Sequence, residues 1–145
     1  MLNEYEITVK IHLADGAYAP IRAHDDDAGL DLRAMYGQSI PAHGSACFDT
    51  GICLAIPRGY YGKIESKSGL NVKHSVVSCG GVIDSGYNGS IVVKLYNFSD
   101  EAYQVKAGDK IAQLVLMPCF KPKLWLVNEL EKTDRGTDGF GSTGR

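Results

Sequence analysis

At 145 residues the chain has the length of one domain, and a chain of that size buries roughly two-thirds of its unfolded surface, so no disulfide or metal staple is needed to hold a core. A formal charge of −2 and a pI near 6.0 give no electrostatic reason to expect a nucleic-acid backbone as partner, and no run approaches the roughly 20 apolar residues of a membrane span. The partner these numbers favour is a small molecule, with neither nucleic acid nor membrane involved.

The first residues, Met1-Leu2-Asn3-Glu4-Tyr5-Glu6-Ile7, carry two acids and no basic segment followed by an apolar run, so no signal peptide is read there. Alternation begins at once, with Ile7, Val9, Ile11 and Leu13 on one face of a strand. Further strands are predicted over 46–56, 60–65, 75–77, 90–98 and 110–117, most of them separated by glycine-bearing turns. Ala19-Pro20 and Ile56-Pro57-Arg58-Gly59 carry the chemistry that interrupts a ladder. One short helix is predicted over 68–74, capped by Ser68. This pattern predicts an all-β sandwich or jelly roll without internal repeats.

The cysteines, Cys47, Cys53, Cys79 and Cys119, show no C-x-x-C pair and are read as buried free thiols. His12, His24, His43 and His74 are equally dispersed, so no protein-held zinc is expected. Unpaired cysteines without an export signal point to the cytoplasm.

After Val127 the composition changes. Residues 128–145 have Leu130 as their only aliphatic side chain, with much charge and four glycines, and cannot build a core. A frayed terminus would account for this, but the segment also contains Gly139-Phe140-Gly141-Ser142-Thr143-Gly144, a G-x-G-x-x-G match. That fingerprint works between a strand and a helix, and neither flanks it here. Gly136 and Gly141 stand at P-loop spacing, with Ser142 where the lysine should be. The remaining reading is a mobile lid. Arg135 offers a planar fork to phosphate oxygens, Phe140 a ring to stack on a base, and Gly141, Ser142 and Thr143 amides and hydroxyls.

Four other segments complete a pattern. They are Ala28-Gly29-Leu30-Asp31-Leu32; Ser66-Lys67-Ser68-Gly69-Leu70 leading to Lys73-His74; Gly81-Val82-Ile83-Asp84-Ser85-Gly86-Tyr87-Asn88-Gly89; and Gly108-Asp109-Lys110-Ile111-Ala112-Gln113-Leu114. With 135–144 as the fifth, in this order, the chain resembles the trimeric dUTP pyrophosphatases, or dUTPases, over nearly its whole length.

The resemblance implies a distorted jelly roll, or β-clip-like sandwich, over 1–127. It also implies a homotrimer in which the arm 128–145 of one subunit closes the site of another. The implied reaction is magnesium-dependent hydrolysis of dUTP to dUMP and pyrophosphate, which keeps uracil out of DNA and supplies dUMP. Asp84 would orient and deprotonate the water that attacks the α-phosphorus, a role worth about 10² to 10⁴ in rate. Asp31 would hold a magnesium-bound water, with Mg2+ itself carried by the triphosphate. Ser66, Lys67, Ser68, Gly69 and Gln113 would contact phosphates. Gly81, Val82 and Ile83 belong to the hairpin whose backbone reads uracil, and Tyr87 would exclude a ribose 2′-hydroxyl.

Each of these residues has an ordinary alternative: Asp84 as a turn aspartate, Asp31 as a loop cap, Lys67 as surface charge, Tyr87 as a core ring. Asp25, Asp26 and Asp27 read as a solvated face. Lys67 and Lys110 depart from the arginines common in the family; lysine keeps the charge and gives up the two-pronged geometry. The rival readings are a dCTP deaminase, which needs a glutamate that the 80–89 hairpin lacks, and a nucleotide sensor reporting to a protein partner.

Overall fold

The computed structural model describes residues 6–79 and 81–140. One sheet pairs β1 (Lys10–Leu13), β4 (Ser45–Ala55), β8 (Ser90–Asn97) and β6 (Val76–Ser78) in that order. A second pairs β2 (Leu30–Arg33), β10 (Lys110–Pro118), β5 (Tyr60–Ser66) and β7 (Val82–Ile83). β3 (Gln38–Ile40) and β9 (Tyr103–Val105) form a small ribbon, and α1 (Ser68–His74) is the helix between β5 and β6. Every pairing is antiparallel, and the fold is the all-β, jelly-roll-like architecture expected.

The two-residue period explains the layers. On β8, Ile91, Val93 and Leu95 are buried while Val92 and Lys94 face outward. These three join Ile52 and Leu54 of β4, Leu32 of β2, Ile64 of β5 and Ala112 and Leu114 of β10 in one core. Fully burying each large aliphatic side chain contributes roughly 1.5–3 kcal/mol relative to exposure. Two buried polar side chains are satisfied within this core. Thr50 Oγ1 donates to Ile91 O at 2.8 Å. Asn97 Nδ2 donates to Ile40 O at 3.2 Å and to Glu101 O at 2.7 Å, tying the end of β8 to β3.

The structure corrects three expectations. The first strand is shorter than 7–13: only Lys10–Leu13 pairs, on the edge of its sheet. Ile7, Ile11 and Leu13 stay more than a third exposed because nothing among the described residues covers that face fully. The cysteines are free but not buried: Cys47, Cys79 and Cys119 are exposed and Cys53 is half-buried, Cys47 lying on the outward phase of β4. Ser68 does not cap the helix. It is the first helical residue, Lys67 holds the cap position in extended conformation, and no side chain closes that end.

Candidate active site

β10 runs between β2 and β5, and its register sets Gln113 beside both Asp31 and Glu65. Gln113 Nε2 donates to Ser66 O at 3.1 Å. Its amide lies against Gly29, where a Cβ would stand 2.3 Å from Gln113 Oε1, so a side chain at that position would displace the Gln113 amide. Across this strand, Lys67 Nζ donates to Asp31 Oδ1 at 2.5 Å. Lys110 Nζ pairs with Asp31 Oδ2 at 2.7 Å, off the direction of a well-formed hydrogen bond.

Asp31 is buried, and burial works against its ionisation. The close contacts and positive charges of Lys110 and Lys67 outweigh that effect and hold its carboxyl below the ordinary carboxylate value. Two ammonium groups around one carboxylate leave a net positive cluster at the mouth of α1. The first-turn amides of the helix, from Ser68 and Gly69, have no intrahelical carbonyl to donate to. The Ser66 hydroxyl is engaged internally, donating to Ser78 O at 3.0 Å and accepting from Ser78 N at 2.9 Å.

The hairpin that follows β6 joins β5 at Gly81. Ile64 N donates to Gly81 O at 2.9 Å, and the glycine has φ +105° with Ile64 2.6 Å from where a Cβ would be. No other residue fits there. Val82 and Ile83 then pair with Lys63 and Gly62. Asp84 opens a turn closed by Tyr87 N donating to Asp84 O at 3.0 Å, so its backbone is that of a turn aspartate. Its side chain is exposed and makes no hydrogen bond or ion pair among the described residues. Tyr87 is half-exposed, with its hydroxyl donating to Ser90 O at 2.9 Å, and is not a core ring.

The structure therefore brings Asp31, Ser66, Lys67 and Gln113 together and stitches the 81–87 hairpin to the same strand, β5. It does not bring in the tail. No described residue after Pro118 lies in a strand or helix, Arg135 Nε donates to Asp138 O at 2.9 Å within its own turn, and Phe140 is fully exposed. Gly141, Ser142 and Thr143 lie outside the described residues. Lys110 was not among the residues the motifs assigned to the site. Its only sequence signal was its place in Gly108-Asp109-Lys110, since its meeting with Asp31 depends on the β2–β10 pairing.

Clustered lysines, open helix amides and a free carboxylate on a glycine-shaped hairpin define a β-sandwich equipped to hold a small phosphorylated ligand. The dUTPase family model matches residues 7–144. The probable deoxyuridine 5′-triphosphate nucleotidohydrolase of Schizosaccharomyces pombe is 42% identical over 132 residues, 91% of this chain and 94% of that one. The dUTPase of Staphylococcus bacteriophage 80alpha, solved with dUPNHPP, superposes with a TM-score of 0.89 at 30% identity, covering 95% of this chain and 99% of that one. A dUTPase of S. aureus phage phi11, described with a structural Mg(II) ion, gives 0.80 at 29% identity over 87% and 100%. The chain belongs to the dUTPase family.

Proposed function

We propose that the chain hydrolyses dUTP to dUMP and pyrophosphate, with water attacking the α-phosphorus and Asp84 as general base. The observation that carries this is the family match over 7–144, which contains the five motifs in order, together with a relative named for this activity. Asp84 suits the role: its carboxylate has no competing partner among the described residues, and the β5–β7 pairing holds its hairpin. Lys67 and the open amides of α1 receive phosphate oxygens. Gln113 braces Ser66 beside them, and the Ser66 hydroxyl, bonded to Ser78, ties β6 to β5.

Gly81, Val82 and Ile83 present backbone to uracil, where a polar mismatch in a desolvated slot discriminates by about 10⁴ to 10⁵. Tyr87 lies under the deoxyribose. Arg135, Phe140, Gly141, Ser142 and Thr143 act as a closing arm over 128–145, separate from the catalytic domain 1–127.

The residues fit a magnesium ion that arrives with the nucleotide. Among the described residues no three acids, histidines or cysteines converge, and the one buried carboxylate, Asp31, already faces two lysines. Asp31 would reach such an ion only through water, and Mg2+ so bound would neutralise phosphate charge.

A homotrimer with exchanged arms is supported by apolar surface that one chain leaves open. A groove of about 650 Å³ is lined by Ile7, Val9, Ile11, Leu54, Ile56 and Leu116. Phe120, Leu124, Trp125 and Leu126 are almost fully exposed. No helix among the described residues is long and apolar enough to cross a membrane. Free cysteines suit a reducing compartment, and we place the protein in the cytoplasm.

Pyrophosphate release measured across the deoxynucleoside triphosphates with Mg2+ tests the activity, and light scattering tests the assembly. Turnover confined to dUTP is expected. Untouched dUTP, or ammonia released from dCTP, would overturn the proposal.

A further inference from the structure

Tyr87 is half-exposed and lies outside the buried core, so core packing does not fix where its ring lies. Three neighbours supply the constraint. The ring lies against Gly89, where a Cβ would stand 2.5 Å from Tyr87 Oη and 2.6 Å from Cζ, so any side chain at that position would push the ring away. The hydroxyl donates to Ser90 O at 2.9 Å. Ser90 in turn donates its own hydroxyl to Asp49 Oδ1, in a short hydrogen bond.

Asp49 is itself locked. The same Oδ1 accepts from Gly51 N at 2.9 Å. The β4–β8 register shifts at this point, with Asp49 opposite Val92 and Cys53 opposite Ser90. Gly51 has φ +66°, and a Cβ there would stand 2.4 Å from Met35 Sδ. A bulge packed on one side therefore turns the Asp49 carboxylate to Ser90 on the other, and Ser90 carries the acceptor that holds Tyr87.

We infer that Gly89, Ser90 and Asp49 are positioning residues for sugar discrimination: the contact of Tyr87 with bare Gly89, and the bond of its hydroxyl to the backbone carbonyl of Ser90, a residue anchored through its own hydroxyl to Asp49, set the ring where it rejects a ribonucleoside triphosphate. The inference rests on the reading of Tyr87 as the surface under the deoxyribose. Excluding a 2′-hydroxyl is a steric task that fails when the ring withdraws by a fraction of an ångström, so the residues that hold the ring share in the specificity.

The test is kcat/KM for dUTP and UTP, with melting temperature, in the full chain and in Gly89→Ala, Ser90→Ala, Ser90→Thr, Asp49→Ala, Tyr87→Phe and Tyr87→Ala. In Gly89→Ala, Ser90→Ala and Asp49→Ala the dUTP-to-UTP ratio falls by about tenfold or more. The fall comes from gained UTP turnover, which a general folding defect would not produce, since it would lower both substrates. Ser90→Thr, which keeps the hydroxyl, restores the ratio. Tyr87→Phe removes only the hydrogen bond to Ser90 and lowers the ratio by itself, which carries the test if Gly89→Ala fails to fold. A relaxed ratio in Tyr87→Ala alone, with wild-type ratios in Gly89→Ala, Ser90→Ala and Tyr87→Phe, would overturn the inference and leave Tyr87 as the gate. An unchanged ratio in Tyr87→Ala would overturn the reading of Tyr87 and the inference with it.

Discussion

Lys67 Nζ stands 2.5 Å from Asp31 Oδ1, and this contact joins the two strands that flank β10, because Asp31 lies on β2 and Lys67 directly follows β5. Lys110 closes the other carboxylate oxygen from β10 itself. The cluster places positive charge at the proposed phosphate site while keeping a buried carboxylate compensated. Neither lysine is replaceable by a neutral side chain without leaving part of Asp31 unpaired.

Asp31→Asn removes the counter-ion from two neighbouring ammonium groups. Both lysines are partly solvated, with side chains 28% and 40% exposed, so the cost falls below that of a fully buried pair. We expect a loss on the order of 1–3 kcal/mol in urea unfolding, with a raised KM for dUTP as Lys67 loses its anchor. An unfolding midpoint equal to wild type would show that Asp31 does not organise the lysines.

The same pair sets an acid limb. Because Asp31 ionises below its ordinary value of 3.8 in the folded chain, its contribution to stability is fully present above that value. It is lost as pH falls through the lower folded value. Urea midpoints of the wild type and Asp31→Asn, compared from about pH 6 down to about pH 3, should converge in acid. A constant gap between them would remove the electrostatic explanation.

Much of the fold was legible because alternation is a local property. β8 needs only Ile91, Val93 and Leu95 to declare its inner face, and the turn at Pro57 and Gly59 marks the join between β4 and β5. β2 and β7 were not, for a physical reason. Leu30-Asp31-Leu32-Arg33 buries a carboxylate, which no local pattern predicts, and that burial is tolerable only through lysines distant in the chain. Val82-Ile83 is too short to show a period. The same division runs through the site. Motif order picked out Asp31, Asp84 and Tyr87, whereas the engagement of Lys110 with Asp31, and of Gly89 and Asp49 with the Tyr87 loop, requires knowing which strands pair. The burial of the cysteines was not legible because it depends on strand phase for Cys47 and on where β6 and β10 end for Cys79 and Cys119.

Asp84→Asn keeps the size and hairpin position of the side chain and removes its basicity. Its backbone turn to Tyr87 is unaffected, since the acceptor there is the Asp84 carbonyl. We expect kcat to fall by about 10² to 10⁴, with the affinity for a nonhydrolysable dUTP analogue, measured by calorimetry, within a few-fold of wild type. Retained turnover would reassign the base.

Deleting residues 135–145 separates folding from closure. Every buried hydrophobic residue of the described core lies at or before Leu114, and the last strand ends at Pro118. The deletion therefore removes no residue of that core, and the melting temperature should stay within a few degrees, because surface changes away from the core amount to about ±0.5 kcal/mol. Turnover should fall steeply, since Arg135 and Phe140 are lost together with the groups that would shield the phosphate chain from water. Adding the excised segment as a free peptide should restore little, because the effective concentration supplied by the chain connection is gone. Full activity in the truncated protein would show that the tail has no part in the reaction.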